Sequence, residues 1–416
     1  MGKGAEFLMS VENDSRFSLD DLRYSDDKGG LLEVSRDLES LKELTVSQFE
    51  TRMQSRNVLQ PFTSSGVWRY REAVLDAASS EDIVSLGEGN TPLFSHPQLD
   101  SYGQVDKVFF KHEGYNPTGS FKDRGMTVAV TQARRLGLKN LGCASTGNTS
   151  ASLASYAASA GMNAFIFIPK GKITGGKLAQ ALAYGAKVVE VDGSFDTAMD
   201  LVQDAARELG IYLVNSINPF RLEGQKTIMW ELFQELEWKA PDWILCPGGN
   251  LGNTSAFGKA IHEAYELGWI KKKPKICVVQ AEGASPFFEA FREGFSAPLI
   301  KQDPETVASA MRIGNPVNYP KALKVVKKLE GAVLCVTDEE ILKAKEKIDG
   351  VGIGCEPASA ASLAGLKKAR ESGLISKECR IVCILTGHVL KDTDVIQNAR
   401  DRSSQFISFE QLKNYV

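Results

Sequence analysis

Histidine is scarce in this chain, and none is placed to hold a metal. The four histidines, among 416 residues, stand at 96, 112, 262 and 388. No His-x-x-x-His or Cys-x-x-Cys spacing occurs, so metal chemistry is disfavoured. An excess of one charge is missing too: 49 Lys and Arg oppose 52 Asp and Glu, leaving a net charge of −3. Interspersed charges of that kind argue against a nucleic-acid-binding face. No apolar run approaches the roughly 20 residues of a membrane span. The seven cysteines are scattered and odd in number, which excludes a disulfide framework and suggests free buried thiols in a reducing compartment. No signal-peptide pattern opens the sequence, so a cytoplasmic protein is expected. Two nucleotide-binding motifs are absent as well. The Gly-rich loop at 248–253 carries no lysine after its glycines, as a triphosphate-binding P-loop would, and does not match Gly-x-Gly-x-x-Gly with an acidic residue about twenty positions on.

What the chain does hold is chemistry at the ends of strands. Residues 116–125 read Asn-Pro-Thr-Gly-Ser-Phe-Lys-Asp-Arg-Gly. Asn116–Gly119 is turn chemistry. Ser120, with Asp123 three residues on, suggests a capping box that opens a helix over Phe121–Leu136. Lys122 then lies in the first helical turn beside the Phe121 ring. A lysine shielded from water there has a lowered pKa and becomes a usable nucleophile or base. Taken alone, the run reads more readily as a capped helix with a solvated lysine, since most lysines are surface charges.

Three further apolar runs end in small polar residues. Gly142–Ser145 leads into Thr146-Gly-Asn148-Thr149 and a small-residue helix. Trp243–Pro247 leads into Gly248-Gly249-Asn250-Leu251-Gly252-Asn253 and a helix from about Thr254. Ile381–Leu385 leads into Thr386-Gly-His. Ligands of open α/β sheets bind outside such strand ends. In the second loop, uncovered backbone N–H groups and the following helix start would make a phosphate cradle. A phosphate cradle, a shielded amine and the neutral Thr386 hydroxyl together suggest pyridoxal phosphate. Thr386 would face the ring nitrogen and Asn148 the phenolic oxygen.

With those motifs the chain resembles the threonine synthases, within the fold-type II (tryptophan synthase β-like) pyridoxal-phosphate enzymes. The resemblance runs from Ser85-Leu-Gly-Glu-Gly-Asn-Thr-Pro-Leu93 to about Gly387, roughly three-quarters of the chain. It includes the 112–125 run, Leu222-Glu-Gly-Gln-Lys226 and Gly354-Cys-Glu-Pro-Ala-Ser-Ala-Ala361. Residues 138–270 look most like the plant-type branch. The family's frequent Cys-x-x-Cys knuckle has no counterpart at 22–34, so a metal-stabilised N-terminus is not expected.

The resemblance implies an α/β protein of two open parallel-sheet domains, helices on both faces, with the cofactor in the cleft between them. A large cofactor-binding domain is expected over 89–125 and 219–392, and a small mobile one over 126–218. An N-terminal segment of 1–88, with helical patches at Val34–Leu44 and Gly66–Ala78, and an extension at 393–416 complete the chain. The stretch before the second methionine, at position 9, reads as an appended leader.

By the same resemblance Lys122 would hold the cofactor's aldehyde and move protons. The substrate would be O-phosphohomoserine, converted with water to L-threonine and phosphate, and the protein a homodimer. The substrate phosphate needs its own site, for which Ser145, Thr146, Thr149, Lys177, Asn215, Ser216 and Arg221 are candidates. Without the resemblance, Lys177 and Arg221 read equally as surface charges and Asn215-Ser216 as a turn. The rival within the fold is a threonine or serine dehydratase, which has no need of a second phosphate site.

Overall fold

The computed structural model describes residues 6–57, 60–170, 175–192 and 195–395, without the side chains of 175–177 and 195–200. Most of the extension expected at 393–416 therefore lies outside the described residues. Three strands come first, β1 (Phe7–Ser10), β2 (Arg16–Phe17) and β3 (Leu32–Ser35). They form an antiparallel sheet in the order β2-β1-β3. A six-stranded sheet contains β4 (Leu93–Phe94), β5 (Val108–His112), β10 (Trp243–Pro247), β11 (Lys275–Ala281), β12 (Ala332–Val336) and β13 (Ile381–Leu385). Its order is β12-β11-β10-β13-β5-β4, parallel throughout except for β4 against β5. A parallel four-stranded sheet, β8-β7-β6-β9, is made of β6 (Asn140–Ala144), β7 (Asn163–Pro169), β8 (Lys187–Val191) and β9 (Tyr212–Leu213).

The central strands β10 and β13 are buried at every position. That is why Trp-Ile-Leu-Cys-Pro and Ile-Val-Cys-Ile-Leu read as continuous apolar runs: helices cover both faces of a parallel sheet. The register Ile381↔Val108 to Leu385↔His112 carries β5 and β13 to the same edge. The Lys122 run and Thr386 consequently leave the sheet side by side.

The N-terminal segment departs from expectation. Phe7 and Leu8 belong to β1, and Leu8 is fully buried, so these two residues are part of the fold, while residues 1–5 lie outside the described residues. Val34 lies in a strand, because Leu32-Glu-Val-Ser35 alternates buried and half-buried positions with a period of two, the pattern of a half-buried strand. The helix forms later, at Val46–Gln54, where Thr45 and Gln48 make a capping box. Gly66–Ala78 yields only short turns at Trp68–Tyr70 and Arg71–Val74. Gly66 meets the loop above it so closely that a Cβ would lie 2.5 Å from Asn90 N. This segment supplies core: Phe49 and Tyr70 pack edge-on to each other at 4.8 Å, and to Trp269 and Trp230 at 4.9 and 5.5 Å. Each such pair adds about 0.5–1.5 kcal/mol beyond its buried area.

Two helices set the position of the lysine. Lys122–Arg135 crosses Pro219–Glu235 at Gly224, whose added Cβ would lie 1.7 Å from Arg124 O. Only the absence of a side chain permits that approach. No described helix is long and apolar enough to cross a membrane.

Candidate active site

Between the six-stranded and four-stranded sheets lies a cleft open to solvent, with about 630 Å³ of empty space in and above it. Phe121, Lys122, Asn148, Ser216, Arg221, Gly249, Asn250, Leu251, Gly252, Asn253 and Thr386 all line it, so loops separated by more than 250 residues converge. Leu222, Gln225, Pro247, Ala310, Met311 and Ala358 complete the lining. Leu222, Gln225, Pro247 and Ala358 stand in the motifs quoted above without being named as site residues, whereas Ala310 and Met311 were not singled out from sequence.

Lys122 begins its helix as expected, but not through the expected cap. Phe121 holds the N-cap position and makes no side-chain cap bond. Asp123 does not reach back to Ser120. Its buried carboxylate accepts from Thr118 N at 2.7 Å, Thr118 Oγ1 at 2.6 Å and Ser152 Oγ at 2.6 Å. It thus holds the turn in which Gly119 takes φ +86°. Arg124 anchors the next position through a buried bidentate pair with Glu113, at 2.6 and 2.7 Å, and a 2.8 Å bond to Glu231. Those contacts clamp the lysine turn to the end of β5 and to Pro219–Glu235.

The Lys122 amine lies over the Phe121 ring, 4.1 Å from its centroid. Burial pulls its pKa down to about 7. The Arg221 guanidinium pushes in the same direction and Glu356 opposes both. Near neutral pH a large share of this amine is uncharged, the form that attacks a carbonyl carbon.

The Gly248–Asn253 loop fits a phosphate. Gly248 N is taken by Val279 O at 2.8 Å, and Ser255 N returns to Leu251 O at 3.1 Å. The N–H groups between them have no acceptor among the described residues. They open the helix Gly252–Glu266, whose positive end favours an anion. A Cβ on Gly249 would lie 3.0 Å from Ala310 O, so a side chain there would crowd the cradle's wall. Gly248 stands just behind, and its carbonyl accepts from Gln280 Nε2 at 3.0 Å.

Three buried polar atoms of cleft residues find no protein partner: Arg221 Nε, Gln225 Oε1 and Asn253 Oδ1. Such atoms cost about 1–3 kcal/mol each when left unsatisfied, so their clustering marks a place for a polar ligand. Arg221 is 2 % exposed and makes no ion pair with a carboxylate among the described residues. Its Nη1 donates to Val214 O at 2.9 Å, and burial lowers its pKa to about 10. It keeps its charge at neutral pH, buried and without a counter-ion among the described residues.

The remaining candidates do not converge equally. Asn215 spends both ends of its amide on Ala144, accepting from N at 3.1 Å and donating to O at 3.0 Å. It steadies the loop after β6 from behind. Ser145, Thr146 and Thr149 sit half-exposed in that loop, and Ser145 Oγ accepts from Gly147 N at 3.2 Å. The side chain of Lys177 lies outside the described residues.

Glu356 is the site residue that sequence reasoning missed. Its carboxylate accepts from Asn148 Nδ2 and from Thr386 Oγ1, each at 2.9 Å. The signal was present as the single acid inside Gly354–Ala361, masked by a stretch that reads as a Gly/Ala-rich helix start.

Residues 84–387 match the family described as pyridoxal-phosphate dependent enzyme. The threonine synthase of Methanocaldococcus jannaschii is 49 % identical over 386 residues, covering 92 % of this chain and 93 % of that protein. Threonine synthase 2, chloroplastic, of Arabidopsis thaliana is 41 % identical over 91 % of this chain and 75 % of its own. Among solved structures, maize serine racemase superposes with a TM-score of 0.67 at 21 % identity, covering 81 % of this chain and 98 % of that one, a likeness of fold alone. The chain belongs to the pyridoxal-phosphate dependent enzymes and, within them, to the threonine synthases, carbon–oxygen lyases of threonine biosynthesis.

Proposed function

We propose that this enzyme takes O-phosphohomoserine and water to L-threonine and phosphate, with Lys122 as the residue that holds the cofactor and moves protons. The observation that carries the substrate reading is Arg221: a buried guanidinium with an unpartnered Nε, facing the cleft beside a separate phosphate cradle. The cofactor's phosphate accounts for one anion site, and a phosphorylated substrate accounts for the second.

In this reading the N–H groups of Gly249–Asn253 grip the cofactor phosphate and Phe121 walls its ring. Asn148 and Thr386 address the ring's polar edge. When bound, pyridoxal phosphate supplies an electron sink for charge left on the carbon beside the substrate amine. The neutral Lys122 amine takes the proton from that carbon and returns it, and its reach along the substrate serves the neighbouring carbons too. Ser216 and Arg221 receive the substrate phosphate. The half-exposed Ser145, Thr146 and Thr149 bound the substrate end of the cleft, and Lys177, whose side chain lies outside the described residues, is a further candidate for the substrate phosphate. Residues 126–218 close as a small domain onto 89–125 and 219–392, excluding water until it is needed.

A homodimer is proposed from the family resemblance, and sedimentation velocity decides it. The seven cysteines are unpaired, which supports a cytoplasmic setting.

The deciding experiment is turnover of O-phosphohomoserine by wild-type and Arg221→Gln enzyme, with threonine and phosphate both assayed. The synthase reading expects KM to rise in the variant. A dehydratase would give an oxo acid and ammonia from threonine and would barely respond to the change.

A further inference from the structure

We infer that Glu356 is a positioning residue for the cofactor ring, and that its carboxyl, the Thr386 hydroxyl and the ring nitrogen share one proton along a single hydrogen-bonded line. The inference rests on the reading that Thr386 faces the ring nitrogen.

Geometry isolates this carboxyl. Glu356 is 4 % exposed and precedes the helix Pro357–Glu371. Its backbone N–H donates to Gly387 O at 3.1 Å. Gly387 packs so tightly on the carboxyl that an added Cβ would lie 2.4 Å from Glu356 Cδ. One oxygen accepts from Asn148, on the four-stranded side of the cleft, and the other from Thr386, at the end of β13. No cation forms an ion pair with it among the described residues. Thr386 Oγ1 also lies 3.0 Å from Ser359 Oγ, which itself accepts from Gly387 N at 3.0 Å.

Counting protons gives two arrangements. A hydroxyl donates once and accepts twice, and an ionised carboxylate only accepts. With Glu356 ionised, Thr386 must donate to it, and the hydroxyl offers the cleft a lone pair. A ring nitrogen opposite can then bond only if it carries a proton. With Glu356 protonated, the carboxyl donates to Thr386, whose own proton is free to turn to an unprotonated ring nitrogen. The two arrangements hold the same number of protons. They differ by one proton passing from the carboxyl to Thr386 Oγ1 as that oxygen's proton passes to the nitrogen. A neutral hydroxyl at a strand end therefore does not by itself fix the ring as neutral; the acid behind it decides.

The surroundings keep the balance close. Burial raises the Glu356 pKa, while the Asn148 and Thr386 donors lower it. Asp392 raises it further and Lys391 lowers it, both from the segment after Thr386. Lys122 faces it from across the cleft. The helix start at Pro357 adds a positive end that favours the carboxylate.

The test is 15N NMR of holoenzyme loaded with ring-15N pyridoxal phosphate, at neutral pH, in wild-type, Glu356→Gln and Thr386→Val proteins. Far-UV circular dichroism and cofactor stoichiometry confirm folded, loaded enzyme. A glutamine at 356 accepts from Asn148 and donates to Thr386, fixing the second arrangement. The expected wild-type resonance lies upfield of that in E356Q, toward the protonated ring, and T386V differs from both. If E356Q coincides with wild type while T386V moves, the Glu356 carboxyl passes no proton toward the ring nitrogen and the inference falls. If T386V also coincides with wild type, the placement of Thr386 at the ring nitrogen falls instead.

Discussion

Two sets of buried charges stand a few residues apart in this molecule, and they are built on opposite plans. In the first, Arg124, Lys111, Glu113 and Glu231 meet at 2.6–2.8 Å with almost no exposure. Each charge answers another: Arg124 is held above its ordinary value by Glu113 and Glu231, and Glu231 well below its own by Arg124 and Lys111, both against the cost of burial. In the second, the half-buried Lys122 and the buried Arg221 and Glu356 form no ion pair among the described residues, and desolvation dominates. The two cations are lowered to about 7 and about 10, and the acid is raised. Both sets are desolvated; only pairing differs. The first set stabilises a geometry. The second is held in chemically usable states by that geometry, since Arg124 follows Lys122 by two residues and Glu231 follows Arg221 on the same helix.

The comparison predicts opposite results for removing a charge from each set. Lys122→Met is expected to abolish turnover, by at least about 10³-fold, without lowering the urea midpoint of the apoenzyme. Borohydride reduction of the wild-type holoenzyme followed by peptide mapping must label residue 122. A label elsewhere breaks the distinction between the two sets. Arg124→Met is expected to cost about 3–5 kcal/mol of folding stability, because it strands buried carboxylates, and urea unfolding reads it directly. Normal stability in that variant would show that the paired cluster is not what holds the lysine turn. Arg221→Gln sits between these: a loss of about 1.5–3 kcal/mol for bonds to a charged group is a rise of roughly 10- to 150-fold in KM for the phosphorylated substrate, with stability unchanged or improved.

The two sets also differ in how much of them the sequence disclosed. The second was mostly legible. Lys122 and Arg221, with the Asn148 and Thr386 that hold Glu356, each lie at a turn or helix start, and the apolar runs Trp243–Pro247 and Ile381–Leu385 appear in the structure as strands with those bounds. Apolar runs and the turn chemistry that ends them are local, and so can be read from neighbours in the chain. The first set was invisible. Glu113, Arg124 and Glu231 come together only when two helices cross at Gly224, and nothing local to residue 231 announces a partner 107 positions away. Glu356 failed for the same reason, being paired with Asn148 across 208 positions. The N-terminal strands misled because Leu32–Ser35 is too short to distinguish a period of two from a helical one without its partner β1.

The smallest effect is one of pH. The unfolded Lys122 side chain titrates at its ordinary value of 10.5, and the folded one at about 7. Between those limits the unfolded state binds the extra proton, so apoenzyme stability rises with pH through this window relative to Lys122→Met. Below about 7 both states are protonated, and the difference between the two proteins is constant and at its largest. Cofactor loading reads the same titration, because only the neutral amine attacks an aldehyde. Stopped-flow absorbance of apoenzyme mixed with pyridoxal phosphate is expected to show a rate level above about pH 7 and falling tenfold per unit below it. In the paired cluster the Glu231 carboxylate is depressed well below its ordinary range by Arg124 and Lys111, so its contribution is intact throughout that fall and is lost only in strong acid. A loading rate that instead climbed steadily toward pH 10 would give Lys122 the pKa of a surface lysine, and the contrast between matched and unmatched burial would then have no chemical consequence at this residue.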